Sequence, residues 1–98
     1  MLIQSVVENE AERNQNMISQ YEELLDELPR GSLICRKKEY YYLKYRKDGK
    51  IYDEYIGKDS ETVEMIRRKL DQRKHYAEML SELKKEQKAI QKMLEVLS

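Results

Sequence analysis

The chain has no tryptophan and no phenylalanine, one cysteine, one proline, one histidine and three glycines in 98 residues. Each scarcity excludes something. A lone Cys35 cannot close an internal disulfide, which fits a reducing cytoplasm. His75, set among Gln72, Arg73 and Lys74 and distant in sequence from Cys35, leaves no metal-ligand spacing, so no metal or other cofactor is expected. No apolar run is long enough to span a membrane. Met1 to Glu8 lacks the basic start and apolar core of a signal peptide, so a cytoplasmic protein without membrane contact is expected. Net charge is missing too, since 19 Lys+Arg balance 19 Asp+Glu.

What is present is charge, at 39% of residues, beside 40% apolar residues in regular patterns. That patterning, with the zero net charge, favours a folded, helix-rich single domain over disorder. The balance hides a polarity. Residues 1–28 hold seven acids (Glu8, Glu10, Glu12, Glu22, Glu23, Asp26 and Glu27) and one base, Arg13. Residues 29–58 hold nine bases and four acids, together with all three glycines and six of the eight tyrosines. An acidic arm followed by a basic, tyrosine-rich centre suggests an anionic partner for the centre, or mutual neutralisation of the two segments within a dimer.

Residues 1–28 read as an acidic helix. Met17, Ile18, Tyr21, Leu24, Leu25 and Leu28 follow helical spacing, whereas Glu8 to Asn16 is polar apart from Ala11 and is expected to be weakly anchored. Pro29 ends the helix and Gly31 gives a flexible joint. Residues 31–58 form the tyrosine-rich, basic hairpin region. Ser32–Arg36 is an expected first strand, with Lys37-Lys38 as its turn. Two aromatic-rich runs then flank Asp48-Gly49, the pair that a two-residue type I′ hairpin loop favours. That loop sets Tyr45 opposite Tyr52, Leu43 opposite Glu54 and Tyr41 opposite Ile56 on an inner face. On the outer face it sets Tyr42 opposite Tyr55, Lys44 opposite Asp53 and Arg46 opposite Ile51.

Residues 59–98 begin with Asp59 or Ser60 as a cap and Glu61 near the positive end of the helix dipole. Val63, Ile66, Leu70, Ala77, Leu80, Leu83, Ile90, Leu94 and Leu97 then mark a coiled-coil-like seam in one long amphipathic helix, with Arg73 and Gln87 at two seam positions. At 1.5 Å per residue the two helices would be roughly 39 Å and 57 Å long, so the first cannot cover the seam of the second. A homodimer is expected on that ground. The fold class is α+β: helix, small antiparallel meander, long helix.

No reaction is legible. Gly57-Lys58-Asp59 ends like a P-loop, but position 52 is Tyr where the motif needs Gly, and Asp59 stands where it needs Ser or Thr. Carboxylate pairs such as Glu22-Glu23 and Asp53-Glu54 have no pocket to raise a pKa, so an enzyme is not expected. The binding signal lies in Tyr40, Tyr42, Lys44, Arg46, Tyr55 and Lys58, because aromatics stack on bases or anchor proteins while cations meet phosphates. The plain alternative is that the tyrosines are core in a chain without Phe or Trp.

Leu28-Pro29-Arg30-Gly31-Ser32-Leu33, Tyr40-Tyr41-Tyr42 with Tyr45 and Gly49, and Tyr55-Ile56-Gly57-Lys58 resemble a group of small uncharacterised bacterial, archaeal and phage proteins. The resemblance covers roughly residues 24 to 90, leaves out Glu8 to Glu12, and implies no established activity. Similar hairpins occur near the start of some transposases, which points to mobile elements. Three readings follow. The first is a non-enzymatic protein whose sheet engages nucleic acid or a nucleic-acid-handling protein. The second is an anti-CRISPR-like inhibitor whose acidic arm stands in for phosphates. The third is a scaffold that only dimerises.

Overall fold

The computed structural model describes residues 2–58 and 60–98. Its elements are α1 (Leu2–Asp26), β1 (Ser32–Arg36), β2 (Tyr40–Lys47), β3 (Lys50–Gly57) and α2 (Ser60–Leu97). The strands form one antiparallel sheet in the order β1-β2-β3, which gives the expected α+β layout. The described chain divides into two compact units: a helical unit of α1 with His75–Ser98, and a sheet unit of Leu28–Lys74. No helix among the described residues is long and apolar enough to cross a membrane.

In the helical unit α1 runs antiparallel to the end of α2. Tyr21 meets Tyr76 edge-on at 5.5 Å, and Gln87 donates from Nε2 to Gln15 Oε1 at 2.7 Å. Val7, Ile18, Leu83 and Ile90 are buried. The polar stretch that looked weakly anchored is an unbroken part of α1, because Asn14 is itself a core residue, 2% exposed. Its Nδ2 donates to the Leu83 carbonyl at 3.0 Å, which joins the two helices at a fixed height. Asn14 lies seven residues after Val7 and seven before Tyr21, so it occupies the same face as the apolar positions.

In the sheet unit Leu43 and Val63 are buried, and Ile66 and Leu70 are half-buried. α1 stops at Asp26, shortly before Pro29, and Arg73 Nη1 donates to the Leu28 carbonyl at 3.1 Å. Both polar residues of the α2 seam thus have assigned partners: Gln87 grips α1, and Arg73 satisfies a carbonyl that Pro29 prevents from entering a helix. Part of the seam is also covered within the single chain. Val63, Ile66 and Leu70 lie in the sheet unit, and Leu83 and Ile90 in the helical unit. Ala77 is exposed, and Leu80, Leu94 and Leu97 are only half-buried. α2 starts at Ser60 with Glu61 in its first turn; the cap expected from Asp59 lies outside the described residues.

Gly31 is fixed by contact rather than flexible. Its φ is +115°, and a Cβ there would collide with the Lys44 carbonyl oxygen and stand 3.0 Å from Tyr45 Cβ. β1 enters the sheet at that point. Gly31 is the residue that lets the chain pass so close to β2.

Candidate nucleic-acid interface

The Asp48-Gly49 loop fixes the register of β2 and β3 as expected, with φ of 53° and 79° at its two residues. Tyr42 faces Tyr55, Leu43 faces Glu54, Lys44 faces Asp53, Tyr45 faces Tyr52 and Arg46 faces Ile51. The pairing of Tyr41 with Ile56 does not form. A β-bulge lies between Tyr41 and Tyr42, so Tyr41 faces Gly57, and Ile56 is the extra residue.

β1 extends the outer face. Ile34 pairs with Tyr42, Arg36 with Tyr40 and Ser32 with Lys44, which places Ile34 and Arg36 beside the expected residues Tyr40, Tyr42, Lys44, Arg46 and Tyr55. Tyr55 is the hub, with ring centroids 5.3 Å from Tyr42 and 6.5 Å from Tyr40. Two cations lie over the neighbouring rings. Arg36 sits 4.7 Å above Tyr42 and is pinned by Asp53 at 2.9 Å. Lys58 sits 4.7 Å above Tyr40 and 3.8 Å from Glu39. Such cation–π contacts contribute about 0.5–1 kcal/mol each at exposed sites. They also occupy ring faces on which a base would stack.

The other sheet face carries Leu33, Cys35, Tyr41, Leu43, Tyr45 and Tyr52. Here the expected inside positions of Tyr45 and Tyr52 need correction. The two rings stack on each other at 5.4 Å, but Tyr45 is only half-buried and Tyr52 is 41% exposed. β1 begins at Ser32, opposite Lys44, so it does not extend over this pair. Tyr42, in turn, is half-buried although it lies on the outer face.

The turn between β1 and β2 holds the least expected geometry. Lys37 and Lys38 both adopt positive φ, 55° and 62°, and Glu39 N donates to the Arg36 carbonyl at 3.3 Å. This conformation favours Asn and Gly; an L-residue with a full side chain costs roughly 1–2 kcal/mol in it. The strained turn points two lysines into solvent. Among the described residues Lys37, Lys38, Lys44, Arg46, Lys47 and Lys50 are exposed and make no ion pair.

The acidic arm lies in the helical unit, and Glu8, Glu10, Glu12, Glu22, Glu23, Asp26 and Glu27 are all exposed. Sequence reasoning missed Arg36, whose partner Asp53 is two strands away and becomes visible only once three-strand register is known. It also missed the role of the Lys37–Lys38 turn; the signal there was a pair of cations between two strand-like runs. No cluster of three or more His, Cys, Asp or Glu among the described residues is arranged to hold a metal ion.

Fold and site together define a small α+β protein whose sheet combines bracketed tyrosines with uncompensated cations. Residues 7–65 match a family described as a domain of unknown function, DUF6788, and the chain belongs to that family. No curated protein and no solved structure matches it. The matched segment begins in α1 and ends in the first turns of α2, so it includes Glu8 to Glu12 and stops short of residue 90.

Proposed function

We propose that this chain is a non-enzymatic nucleic-acid-binding protein, of the kind that mobile elements carry, and that its sheet unit is the contact surface. The observation that supports this is the set of six exposed, unpaired cations on one small sheet and its turns. Tyr55 and the Arg36-capped Tyr42 add apolar and cation–π surface at their centre. Lys44, Arg46 and Lys47 lie within three residues on β2, roughly 10 Å at about 3.4 Å per residue, and Lys50 stands opposite Lys47. That is the scale of a screening length of roughly 8 Å at physiological salt, so these four cations act together on a phosphate backbone, with Lys37 and Lys38 at the other end of the sheet.

The test is fluorescence anisotropy of labelled DNA and RNA against salt concentration. Each phosphate neutralised contributes about −0.9 to the slope of log affinity against log salt for duplex DNA. Engagement of four cations gives a slope of roughly −3.6 by that rule. A flat response, with no binding at low salt, refutes the reading. A second reading is supported by the seven exposed acids, those of α1 and Glu27 just after it, which make no ion pair among the described residues. They suit an inhibitor that occupies the nucleic-acid channel of a host enzyme. Pull-down of such an enzyme that Glu8→Lys with Glu12→Lys abolishes, without any nucleic-acid binding by the chain, selects that reading.

A further inference from the structure

We propose that the end of the β2–β3 hairpin enters the major groove of duplex DNA and that this ribbon, rather than the tyrosine face, makes the groove contact. The inference rests on the nucleic-acid reading above and narrows it to one form of nucleic acid and one element. β1 pairs with β2 only as far as Ser32 opposite Lys44. Beyond that pair Tyr45–Lys47 and Lys50–Tyr52 continue as a two-stranded ribbon with no third strand beside it. Every residue from Arg46 to Tyr52 is exposed, and a methyl group at Gly49 would meet nothing within 4 Å.

The chemistry of the ribbon is unfavourable for a surface that faces only water. Ile51 is 58% and Tyr52 41% exposed. Lys47 stands directly opposite Lys50, a like-charge cross-strand pair that destabilises a hairpin. Neither lysine, nor Arg46, has an ion-pair partner among the described residues. A groove walled by phosphates and floored by base edges and thymine methyls meets all of these groups at once.

Dimensions choose the groove. Three residues per strand at about 3.4 Å each make a projection of roughly 10 Å. The major groove of B-DNA is about 12 Å wide and 8.5 Å deep and admits a two-stranded ribbon, whereas the minor groove is only about 6 Å wide. The major groove of an A-form RNA duplex is too narrow for side chains to read. Single strands are disfavoured on separate grounds. Sheet platforms for single strands stack two or three bases on open aromatic rings, and Lys58 and Arg36 already lie over Tyr40 and Tyr42 at 4.7 Å.

The experiment titrates the intact protein against a short DNA duplex, either of its single strands, and the RNA duplex of the same sequence. Lys47→Gln with Lys50→Gln is the primary variant, because relief of a like-charge pair leaves the hairpin folded; Arg46→Ala is the second. The DNA duplex is expected to bind more tightly than either alternative. The lysine double variant should lose about tenfold in affinity and reduce the salt slope by roughly 1.8. Arg46→Ala should lose a similar factor, with Tyr55→Ser changing affinity less than about threefold. Single strands bound as tightly as duplex, with Tyr55→Ser damaging and the ribbon variants neutral, overturn the ribbon and leave the nucleic-acid reading standing. Absence of binding to all three probes at low salt overturns that reading itself.

Discussion

Alanine at Gly31 isolates the joint from which the sheet is built. The position has φ of +115°, a region in which side-chain-bearing residues cost about 1–3 kcal/mol. The added Cβ would also overlap the Lys44 carbonyl oxygen, and that atom cannot swing aside because it belongs to the backbone of β2. Overpacking against a fixed neighbour costs a further 1–3 kcal/mol or so, for a total of about 4 kcal/mol. Gly49 is the control. Its φ is +79° but nothing lies within 4 Å, so Gly49→Ala carries only the conformational term, about 1 kcal/mol. Urea denaturation followed by near-ultraviolet circular dichroism reads the sheet unit, because six of the eight tyrosines lie in residues 31–58. A loss of about 4 kcal/mol is a large share of the usual 5–15 kcal/mol of a domain. Equal losses for the two alanine variants would show that Lys44 yields without cost, and the close-contact argument would fail.

Lys37→Asn with Lys38→Gly should stabilise the protein by about 2 kcal/mol in the same assay, since it supplies the residues that positive φ favours; because this turn is at the opposite end of the sheet from Lys47 and Lys50, DNA affinity should fall less than in the ribbon lysine variant. Asn14→Leu should raise the melting temperature by the equivalent of about 1 kcal/mol, because it removes a buried Oδ1 that has no hydrogen-bond partner. Asn14→Ala should lower the melting temperature, since it leaves a void where a fully buried side chain stood. Leu83→Asp should unfold the helical unit outright, measured as loss of far-ultraviolet helical signal, because Leu83 is 6% exposed within the single chain and a buried carboxylate would be unpaired.

The hairpin was legible because a two-residue Asp-Gly loop has one register, and that register carries down to Tyr42. It fails at Tyr41, where the bulge inserts Ile56: alternation of side chains does not reveal an insertion, although Gly57 at the strand end was a usable sign. The Lys37–Lys38 turn was not legible in detail, since lysine has no preference for the conformation it adopts here. Asn14 was misread for a different reason. Hydropathy treats a polar residue as exposed, but the seven-residue interval from Val7 to Asn14 to Tyr21 places the amide on the buried face. The cation cover on Tyr40 and Tyr42 was beyond sequence, because it depends on contacts from Lys58 just after β3 and from Arg36 on β1.

The charges left unpaired also constrain how binding should respond to salt. Exposed ion pairs contribute only about 0–1 kcal/mol each, so leaving the acids of α1 and the sheet cations unpaired costs the fold little. It keeps both sets available to partners. The chain is nonetheless neutral as a whole, with 19 charges of each sign. At physiological salt a phosphate senses charge within roughly 8 Å, which is the local basic sheet; near 10 mM salt the range grows to roughly 30 Å, and the net charge of the whole chain, which is zero, counts for more. Affinity for DNA should therefore rise steeply as salt falls through the physiological range and then level off at the lowest salt. Glu8→Gln with Glu12→Gln should extend the rise without altering the slope at high salt. A single straight line down to the lowest salt, unaffected by those changes, would show that the acids of α1 play no part in the field that the partner meets.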